Sequence, residues 1–377
     1  RISPAFSGIT VHVLDASKSV SVVSSLLNKD NKEIFSKRIQ EEYNKLKSEH
    51  AKKQSEKDFL TIEQARKNKL KIDWSSYRIK KPNKLGVTVL QNFSLEEIRK
   101  YIDWTPFFIT WELKGKYPEI FDNSKYGKEA KKIFDDANQL LDRIISENLL
   151  SANGVFGLFP ANSLEDDIEI YSDESRKGIL ETLNSIRQQS IKSVGIPNLS
   201  LADFIAPKES GIKEYIGMFA VTTGIGIEKI IEQFEKQHDD YNSIMTKAVA
   251  DRLAEAFTEL LHEKVRNDFW GYAANEKLSN KDLIAEKYLG IRPAPGYSSQ
   301  PDHTEKLKIW KLLNVKKNTS IILTESLAMF PAASVCGLYF AHPDSKYFTV
   351  GKIGKDQVED YHKRKGISLK EAEKWLR

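Results

Sequence analysis

Residues 290–306 combine three prolines and two glycines with Arg292 and Tyr297. Proline fixes φ and glycine permits turns that other residues avoid, so this composition predicts a rigid, extended surface loop. Such a loop would hold both side chains at defined positions. An arginine held in this way suits a carboxylate, which it can bind through two parallel hydrogen bonds, and a nearby tyrosine offers a ring face and a hydroxyl. A purely structural crossing that carries a surface arginine remains the alternative.

Two acidic positions could also do chemistry. Asp103 is the one carboxylate among the four aromatic residues of 101–108, where it either caps the backbone near Thr105 or binds a cation. Asp251 and Glu255 lie four positions apart on a predicted helix, so their like charges repel unless a cation or Arg252 offsets them. A solvated helix face is the usual explanation of such a pair.

Other patterns argue against several kinds of catalysis. Gly224 and Gly226 lack the third glycine and the acidic partner of a dinucleotide-binding turn, which favours a simple helix-starting turn. The seven histidines show no helical zinc-ligand spacing, and no Gly-x-Ser-x-Gly elbow occurs. Cys336 lies in an apolar stretch that is typical of a core strand. We therefore expect neither a catalytic residue nor a metal ligand.

The charge balance is mildly basic, with 58 Lys and Arg against 53 Asp and Glu and a net charge of +5. This excess suits an acidic protein partner at least as well as a nucleic acid. Two groups of lysines carry most of it: Lys125, Lys128, Lys131 and Lys132, and Lys67, Lys69, Lys71, Lys80, Lys81 and Lys84. No membrane span or secretion signal is visible, and a single cysteine fits a reducing compartment. We predict a cytoplasmic protein that binds neither nucleic acid nor membrane.

The elements that must position these residues differ along the chain. Residues 9–15 predict a strand and residues 17–27 a helix, a pair too small to bury both of its faces. Residues 29–57 predict a solvated helical connector, and a Lys-rich loop follows over 67–84. Because the sequence begins with arginine, we expect a fragment of a longer chain.

From residue 85 onward the pattern is mixed. A capping box at Ser94 and Glu97 predicts a helix over 95–102, and amphipathic periodicity predicts helices over 127–147 and 243–268 and from residue 368. Strands are predicted over 155–159, ending at Pro160, and over 215–222, 320–326, 334–341 and 346–350. Since the order is not a regular β-α-β alternation, we predict an α+β fold with a twisted antiparallel sheet and long flanking helices.

Several motifs in order resemble one known family, the cobalamin-dependent methionine synthases. Residues 85–377 are similar to the C-terminal reactivation domain of that family. The motifs are Asp103-Trp104-Thr105-Pro106-Phe107-Phe108, Gly115-Lys116-Tyr117-Pro118, Asp203-Phe204-Ile205-Ala206-Pro207, Asp251-Arg252-Leu253-Ala254-Glu255-Ala256-Phe257, residues 292–306, Leu323-Thr324-Glu325-Ser326, His342-Pro343-Asp344-Ser345-Lys346-Tyr347 and Asp356-Gln357-Val358-Glu359-Asp360-Tyr361. The first 50 or so residues, including Val13-Leu14-Asp15-Ala16-Ser17, resemble the end of the family's cobalamin-binding module and its linker.

The resemblance implies three parts. Residues 1–30 would be the last strand and helix of an α/β cobalamin-binding module, 31–84 a helical linker and Lys-rich loop, and 85–377 a reactivation domain that binds S-adenosylmethionine. The family transfers a methyl group from 5-methyltetrahydrofolate to homocysteine in methionine biosynthesis. Its reactivation domain serves the reductive methylation of inactive cob(II)alamin, for which flavodoxin or a flavoprotein reductase supplies the electron. Trapping the small reduced fraction by methyl transfer would pull this uphill reduction forward.

Site residues follow from the same resemblance. Arg292 would bind the methionyl carboxylate of S-adenosylmethionine, and Asp103 would bind its cationic part. Tyr347 and Phe348 would lie against the ligand, with Glu255 and Glu286 as further contacts, while Tyr297 would face the corrin of cobalamin. Some relatives have a second tyrosine at the position of Phe348, so only ring or backbone contact is expected here.

Several parts of the family's full-length enzyme are absent from this sequence. The cobalt-ligating Asp-x-His-x-x-Gly motif is missing, as are the folate module and the homocysteine module with its zinc. The chain also ends at residue 377, slightly before its relatives do. We therefore expect a fragment that binds S-adenosylmethionine and partners the cobalamin-binding module of the same protein, but does not complete methionine synthesis alone.

Two other hypotheses belong to different classes of protein. The first is a basic interaction module that docks an acidic flavoprotein without binding a ligand. The second, a free-standing methyltransferase with a doubly wound sheet, is disfavoured by the single weak Gly-x-Gly turn and the lack of β-α-β order.

Overall fold

The structure is a computed structural model that describes residues 8–13, 16–28, 31–55 and 59–376. Its contacts divide the chain into two compact units, with the boundary between Phe59 and Leu60. None of the helices within these ranges is long and apolar enough to cross a membrane.

The first unit contains two helices, α1 (Ala16–Leu27) and α2 (Lys32–Ser55). They agree with the helices predicted over 17–27 and 29–57. Residues 9–13, however, form no strand, and Leu14 and Asp15 lie outside the described residues. A strand needs a hydrogen-bonded neighbour. The described part of this unit contains no second strand to provide one.

The second unit is built on an antiparallel sheet. Its strands are β1 (Gly86–Phe93), β2 (Ser151–Leu164), β3 (Asp167–Tyr171), β4 (Ile179–Asn184), β5 (Glu214–Ile225), β6 (Ile322–Leu323), β7 (Met329–Phe330) and β8 (Ser334–Tyr339). The sheet order is β4-β3-β2-β5-β8, β1 pairs with the first half of β2, and β6 and β7 form a separate small sheet. All pairs are antiparallel, so the predicted α+β class is confirmed.

Helices cover the sheet. They are α3 (Ile62–Lys67), α4 (Leu95–Ile98), α5 (Thr105–Thr110), α6 (Gly127–Ser146), α7 (Ile227–Lys236), α8 (Asp240–Lys264), α9 (Asn280–Ile284), α10 (Glu305–Leu313), α11 (Val315–Thr319), α12 (Lys355–Lys365) and α13 (Leu369–Leu376). Short 3-10 turns lie at Arg99–Tyr101, Glu119–Asp122, Leu201–Phe204 and Lys208–Ser210, and a π-helical turn, Val265–Phe269, extends α8.

The central strand β5 is buried on both faces, which explains its almost continuous apolar sequence. Phe219 and Val221 belong to the core shared with α6 and α8, whereas Ile216, Met218 and Ala220 belong to the core shared with α10 and α11. The alternation follows from the two-residue period of a strand. Helix α8 is thereby fixed against the middle of the sheet, and it carries the polar residues described below.

Three strand predictions in this unit need correction. Of the strand predicted over 320–326, only Ile322–Leu323 is present. Strand β2 continues through Pro160, which lies opposite Tyr215 of β5. On the other edge of β2, the pairing with β1 ends at Leu158 and the pairing with β3 begins at Ala161, so Pro160 lies in the gap between them. A proline is tolerated at that gap because no neighbouring strand needs an N–H there. Residues 346–350 form no strand: the segment is extended, and Val350 N donates to Ser298 O at 2.8 Å.

Candidate functional site

The Pro-rich loop extends the edge of the sheet beyond β8. Ile291 and Phe340 exchange two backbone hydrogen bonds of 3.0 Å, and Leu338 N donates to Pro293 O at 2.8 Å. Gly296 has φ 94°, and a Cβ there would lie 2.4 Å from the ring of His303. Only glycine therefore fits this turn. The loop is anchored on both sides of Arg292, as a rigid recognition loop requires.

Two connected cavities of about 420 and 380 Å³ lie between this loop, α8 and the segment around α9. Arg292, Glu255 and Glu286 line both cavities. The larger one is also lined by Tyr297, Tyr347, Phe348, Val335 and Cys336, and the smaller one by Asp103, Tyr101, Arg252 and Glu259. All seven residues predicted from the sequence thus line these two cavities, which share three of them and are together called the cleft below.

Arg292 is held at the junction of the two cavities. Its Nη1 and Nη2 donate to the two carboxylate oxygens of Glu259 at 3.1 and 2.7 Å, and Nη1 also donates to Nδ1 of His262 at 3.0 Å. The guanidinium lies over the ring of Tyr288, 5.1 Å from its centroid. Burial opposes the charge, but Glu259 and the tyrosines outweigh it, so the pKa of Arg292 is raised.

Two N–H groups of this guanidinium remain for a ligand. A guanidinium has five N–H groups, of which three are used by Glu259 and His262. The other two are Nε–H and the second hydrogen of Nη2, and they have no hydrogen-bond partner among the described residues. Nε and Nη2 lie on the same side of the group, so together they form a second fork that matches a carboxylate.

His262 is neutral in this arrangement. Arginine can only donate, so Nδ1 of His262 accepts and the ring hydrogen is on Nε2, which lies 3.4 Å from Tyr272 Oη. The ring is fully buried and stacks on Tyr339 with an interplanar angle of 6°. Burial, and then the charges of Arg292 and Arg266, hold the pKa of His262 well below its ordinary value.

Asp103 caps the start of α5 and also lines the cleft. Its Oδ1 accepts a hydrogen bond from Thr105 N at 2.9 Å, which is the capping role considered above. Its Oδ2 has no hydrogen-bond partner among the described residues. The two interpretations are therefore compatible, because one oxygen serves the backbone and the other stays available at the wall of the smaller cavity.

Further carboxylates make this end of the cleft acidic. Glu255 and Glu286 line both cavities with Arg292, and Arg252 is the other cation of the smaller one. Desolvation by the cleft walls raises the pKa of Glu255, and Arg252 opposes that shift. Such a cluster favours a cationic ligand group, which would neutralise charges that now repel one another.

The aromatic residues of the larger cavity differ in exposure. Tyr347 Oη lies 3.0 Å from Tyr288 Oη and accepts a hydrogen bond from Arg292 N at 3.1 Å. Phe348 is half-buried and packs on Phe204 of the core, whereas 67% of Tyr297 is exposed at the rim. The larger cavity thus has an aromatic wall next to the Arg292 fork.

Two other sequence-based expectations, on Gly226 and Cys336, can be checked here. Gly226 has φ 98° at the start of α7, which confirms a helix-starting turn. Cys336 is buried in β8, and burial raises the pKa of its thiol to about 12, as suits a core strand. The described residues contain no group of three His, Cys, Asp or Glu side chains that could hold a metal ion.

Sequence reasoning missed Glu259 and His262. A signal was present, since Glu255, Glu259 and His262 recur at intervals of four and three residues, which places them on one face of α8. The partner of both residues, Arg292, is on a distant loop, so the pattern alone did not show their purpose.

The fold and the cleft define an α+β domain with one polar cleft beside its sheet edge, and not a doubly wound nucleotide-binding protein. Residues 94–366 match the family model described as "Vitamin B12 dependent methionine synthase, activation domain". The chain belongs to this family. It is also similar to a solved structure described as the MetH reactivation domain bound to AdoHcy, with 55% identity and a TM-score of 0.83 over 84% of this chain and 97% of that one.

Proposed function

We propose that the cleft binds S-adenosylmethionine and that the domain serves the reductive methylation of cob(II)alamin in a cobalamin-dependent methionine synthase. The observation that carries the proposal is the Nε and Nη2 fork of Arg292, which has no hydrogen-bond partner among the described residues, together with the carboxylate cluster and the aromatic wall of the cavities that Arg292 lines. The similar solved structure holds AdoHcy, which is S-adenosylmethionine without its transferable methyl group.

The residues of the cleft match the charges of this ligand. The fork of Arg292 would bind the methionyl carboxylate through two charge-assisted hydrogen bonds. Asp103 Oδ2, Glu255 and Glu286 would stabilise the α-ammonium and sulfonium cations. Tyr347 and Phe348 would pack against the adenosine, where an aromatic surface offers stacking. A ligand with one carboxylate, two cations and an aromatic base uses each of these features.

S-adenosylmethionine supplies a methyl group on a positively charged sulfur. One methyl group from it and one electron from flavodoxin or a flavoprotein reductase convert cob(II)alamin to methylcobalamin and leave S-adenosylhomocysteine. The residues of this chain bind and orient the ligand, and none is needed to move a proton in that conversion. Tyr297, exposed at the rim, is the residue we propose to face the corrin of the cobalamin-binding module.

We further propose that the protein acts in the cytoplasm, where its electron donor and the rest of the enzyme would be found. The donor would dock on the lysines before and within the first turns of α6, because flavodoxin-type proteins are acidic. Lys114, Lys116, Lys125, Lys128, Lys131 and Lys132 form this lysine surface, and all six are exposed.

Isothermal titration calorimetry with S-adenosylmethionine tests the ligand proposal directly. We expect saturable binding with one site per chain, competition by S-adenosylhomocysteine, and weaker binding of adenosine, which has neither the carboxylate nor the cations. A folded protein that gives no binding heat at any temperature and retains no S-adenosylmethionine in equilibrium dialysis would contradict the proposal. That result would leave the basic interaction module, which docks a flavoprotein and binds no ligand.

A further inference from the structure

Arg292 is held in place by two residues of α8, Glu259 and His262, which lie three positions apart on that helix. Glu259 takes the Nη1 and Nη2 end of the guanidinium, and His262 takes the second hydrogen of Nη1. Positions i and i+3 of a helix lie side by side, so both side chains reach the same group. Glu259 is 9% exposed and His262 is fully buried, which leaves little freedom for either one.

The helix that carries them is itself immobilised. Most residues of α8 between Ala248 and Leu261 are buried, the exceptions being Asp251, Arg252 and Glu255, and Leu253 and Phe257 belong to the core formed with the sheet. The ring of His262 is further packed against Tyr339 of β8 and Tyr288. The direction of the Arg292 guanidinium is therefore set by the core of the domain and not only by its own loop.

We propose that Glu259 and His262 are positioning residues, which occupy three N–H groups of Arg292 so that its Nε and Nη2 fork is presented to a ligand carboxylate. This inference rests on the proposed function, since it assumes that the cleft binds S-adenosylmethionine. It adds a reason why the site recognises a carboxylate. A guanidinium on a surface loop samples many orientations, whereas one whose Nη1 and Nη2 are held by the protein presents its Nε and Nη2 fork in a single direction.

Glu259 has two effects on a ligand carboxylate, and they have opposite signs. Its negative charge partly neutralises Arg292 and repels a second carboxylate nearby, which lowers affinity. Its two hydrogen bonds fix the fork, which raises affinity. Removing the charge without changing the shape separates the two effects, because only the positioning effect predicts a loss of carboxylate recognition.

The experiment compares S-adenosylmethionine with decarboxylated S-adenosylmethionine, which lacks only the carboxylate. The quantity measured is the dissociation constant of decarboxylated S-adenosylmethionine divided by that of S-adenosylmethionine, referred to below as the carboxylate ratio. We expect this ratio to fall at least fivefold in Glu259→Gln, whose amide hydrogens cannot accept from the guanidinium. It should fall less in His262→Phe, which keeps the buried ring but removes the Nδ1 acceptor, and Glu259→Asp should recover part of the loss.

Asp203→Asn is the matched control. Asp203 also accepts two hydrogen bonds from a buried guanidinium, that of Arg187, at 2.8 and 2.7 Å. It does not line either cavity. Its replacement should lower the melting temperature and leave the carboxylate ratio unchanged, because any general loosening of the fold weakens both ligands alike.

The possible outcomes separate the explanations. An unchanged carboxylate ratio in Glu259→Gln, with both ligands weakened equally, would show that Glu259 has only a structural role. A raised ratio would show that Glu259 acts only by neutralising the charge of Arg292. Either result overturns the inference. Wild-type protein that binds neither ligand would instead contradict the proposed function. A wild-type carboxylate ratio near one would show that Arg292 does not bind the ligand carboxylate, which also overturns the inference.

Discussion

Arg292 has all the donors needed to serve the protein and a ligand at once. Its Nη1 and Nη2 are bound by Glu259, and its Nε and Nη2 fork has no partner among the described residues, so no internal ion pair has to break for a carboxylate to bind. This avoids the large penalty of leaving Glu259 buried without a partner. The same arrangement explains why a lysine, with a single charged nitrogen, would be a poor substitute.

We expect Arg292→Ala to weaken S-adenosylmethionine binding by about 2–4 kcal/mol, because a desolvated ligand carboxylate loses a charge-assisted partner. Arg292→Lys should recover only part of that loss. Isothermal titration gives both numbers, and circular dichroism confirms that each variant is folded. An unchanged dissociation constant in folded Arg292→Ala would show that this arginine does not contact the ligand.

Asp103→Asn tests the cationic end of the cleft. Asparagine keeps the Oδ1 acceptor that caps Thr105 N, so the variant removes charge and leaves the cap in place. We expect a larger loss of affinity for S-adenosylmethionine than for S-adenosylhomocysteine, since only the former has the sulfonium charge. Titrating both ligands into both proteins measures the difference. Equal losses would place Asp103 at the α-amino group, which the two ligands share.

At the scale of elements, the sequence predicted best where a pattern of apolar residues continues over many positions. The long helices α6 and α8 and the antiparallel class of the sheet follow from local pattern. Strand β3 was not predicted, although apolar residues alternate there with Asp167 and Glu169. In the structure they are buried, and Arg364 and Lys208, distant in sequence, supply their partners.

The site shows the same division. The seven residues of the cleft were named from the resemblance to a known family, yet Glu259 and His262 gain their roles from Arg292, which follows them by 33 and 30 positions. Long-range pairs of this kind depend on how α8 and the Pro-rich loop meet. A single sequence contains no direct signal of that contact, whereas helix spacing and proline content are local properties.

The start of β5 gives a pH prediction. Glu214 is 4% exposed, its Oε1 accepts a hydrogen bond from Tyr215 N, and its Oε2 has no hydrogen-bond partner in the part of the chain that the structure describes. Burial raises the pKa of Glu214 to about 8, although the Tyr215 N–H and Arg176 oppose the shift. The folded protein therefore holds a proton that the unfolded chain releases near pH 4.5, so Glu214 lowers the free energy of unfolding progressively as pH rises from there to about 8.

Glu214→Gln keeps the Oε1 acceptor and cannot ionise. We expect its stability relative to wild type to increase between pH 5 and pH 9 by a few kcal/mol, roughly as linkage predicts for a shift of this size. Urea unfolding across that range measures the difference, with Glu209→Gln, at an exposed position nearby in sequence, as the control. A pH-independent difference between the two proteins would show that Glu214 stays ionised in the fold.

At the scale of the whole molecule, the net charge is small, but positive charge is concentrated on the lysine surface before and within the first turns of α6. Lysines in the first turns of α6 lie where the helix dipole favours acidic residues, so helix stability does not explain them. Lys131 pairs with Asp135, and Lys125 lies over the ring of Tyr126. Lys116, Lys128 and Lys132 form no ion pair among the described residues, which leaves their charge available to a partner.

We expect the triple variant Lys116→Glu, Lys128→Glu and Lys132→Glu to associate more slowly with flavodoxin and to show a flatter dependence on salt, while its affinity for S-adenosylmethionine stays the same. Exposed charges at the rim of a transient electron-transfer contact act mainly on encounter rates, and salt screens them. Stopped-flow association at low and high ionic strength measures both effects. Reversing the exposed Lys316, Lys317 and Lys352 gives the same change in net charge elsewhere on the surface. If the two triple variants slow association equally, net charge alone steers the encounter and the lysine surface of α6 is not the docking site.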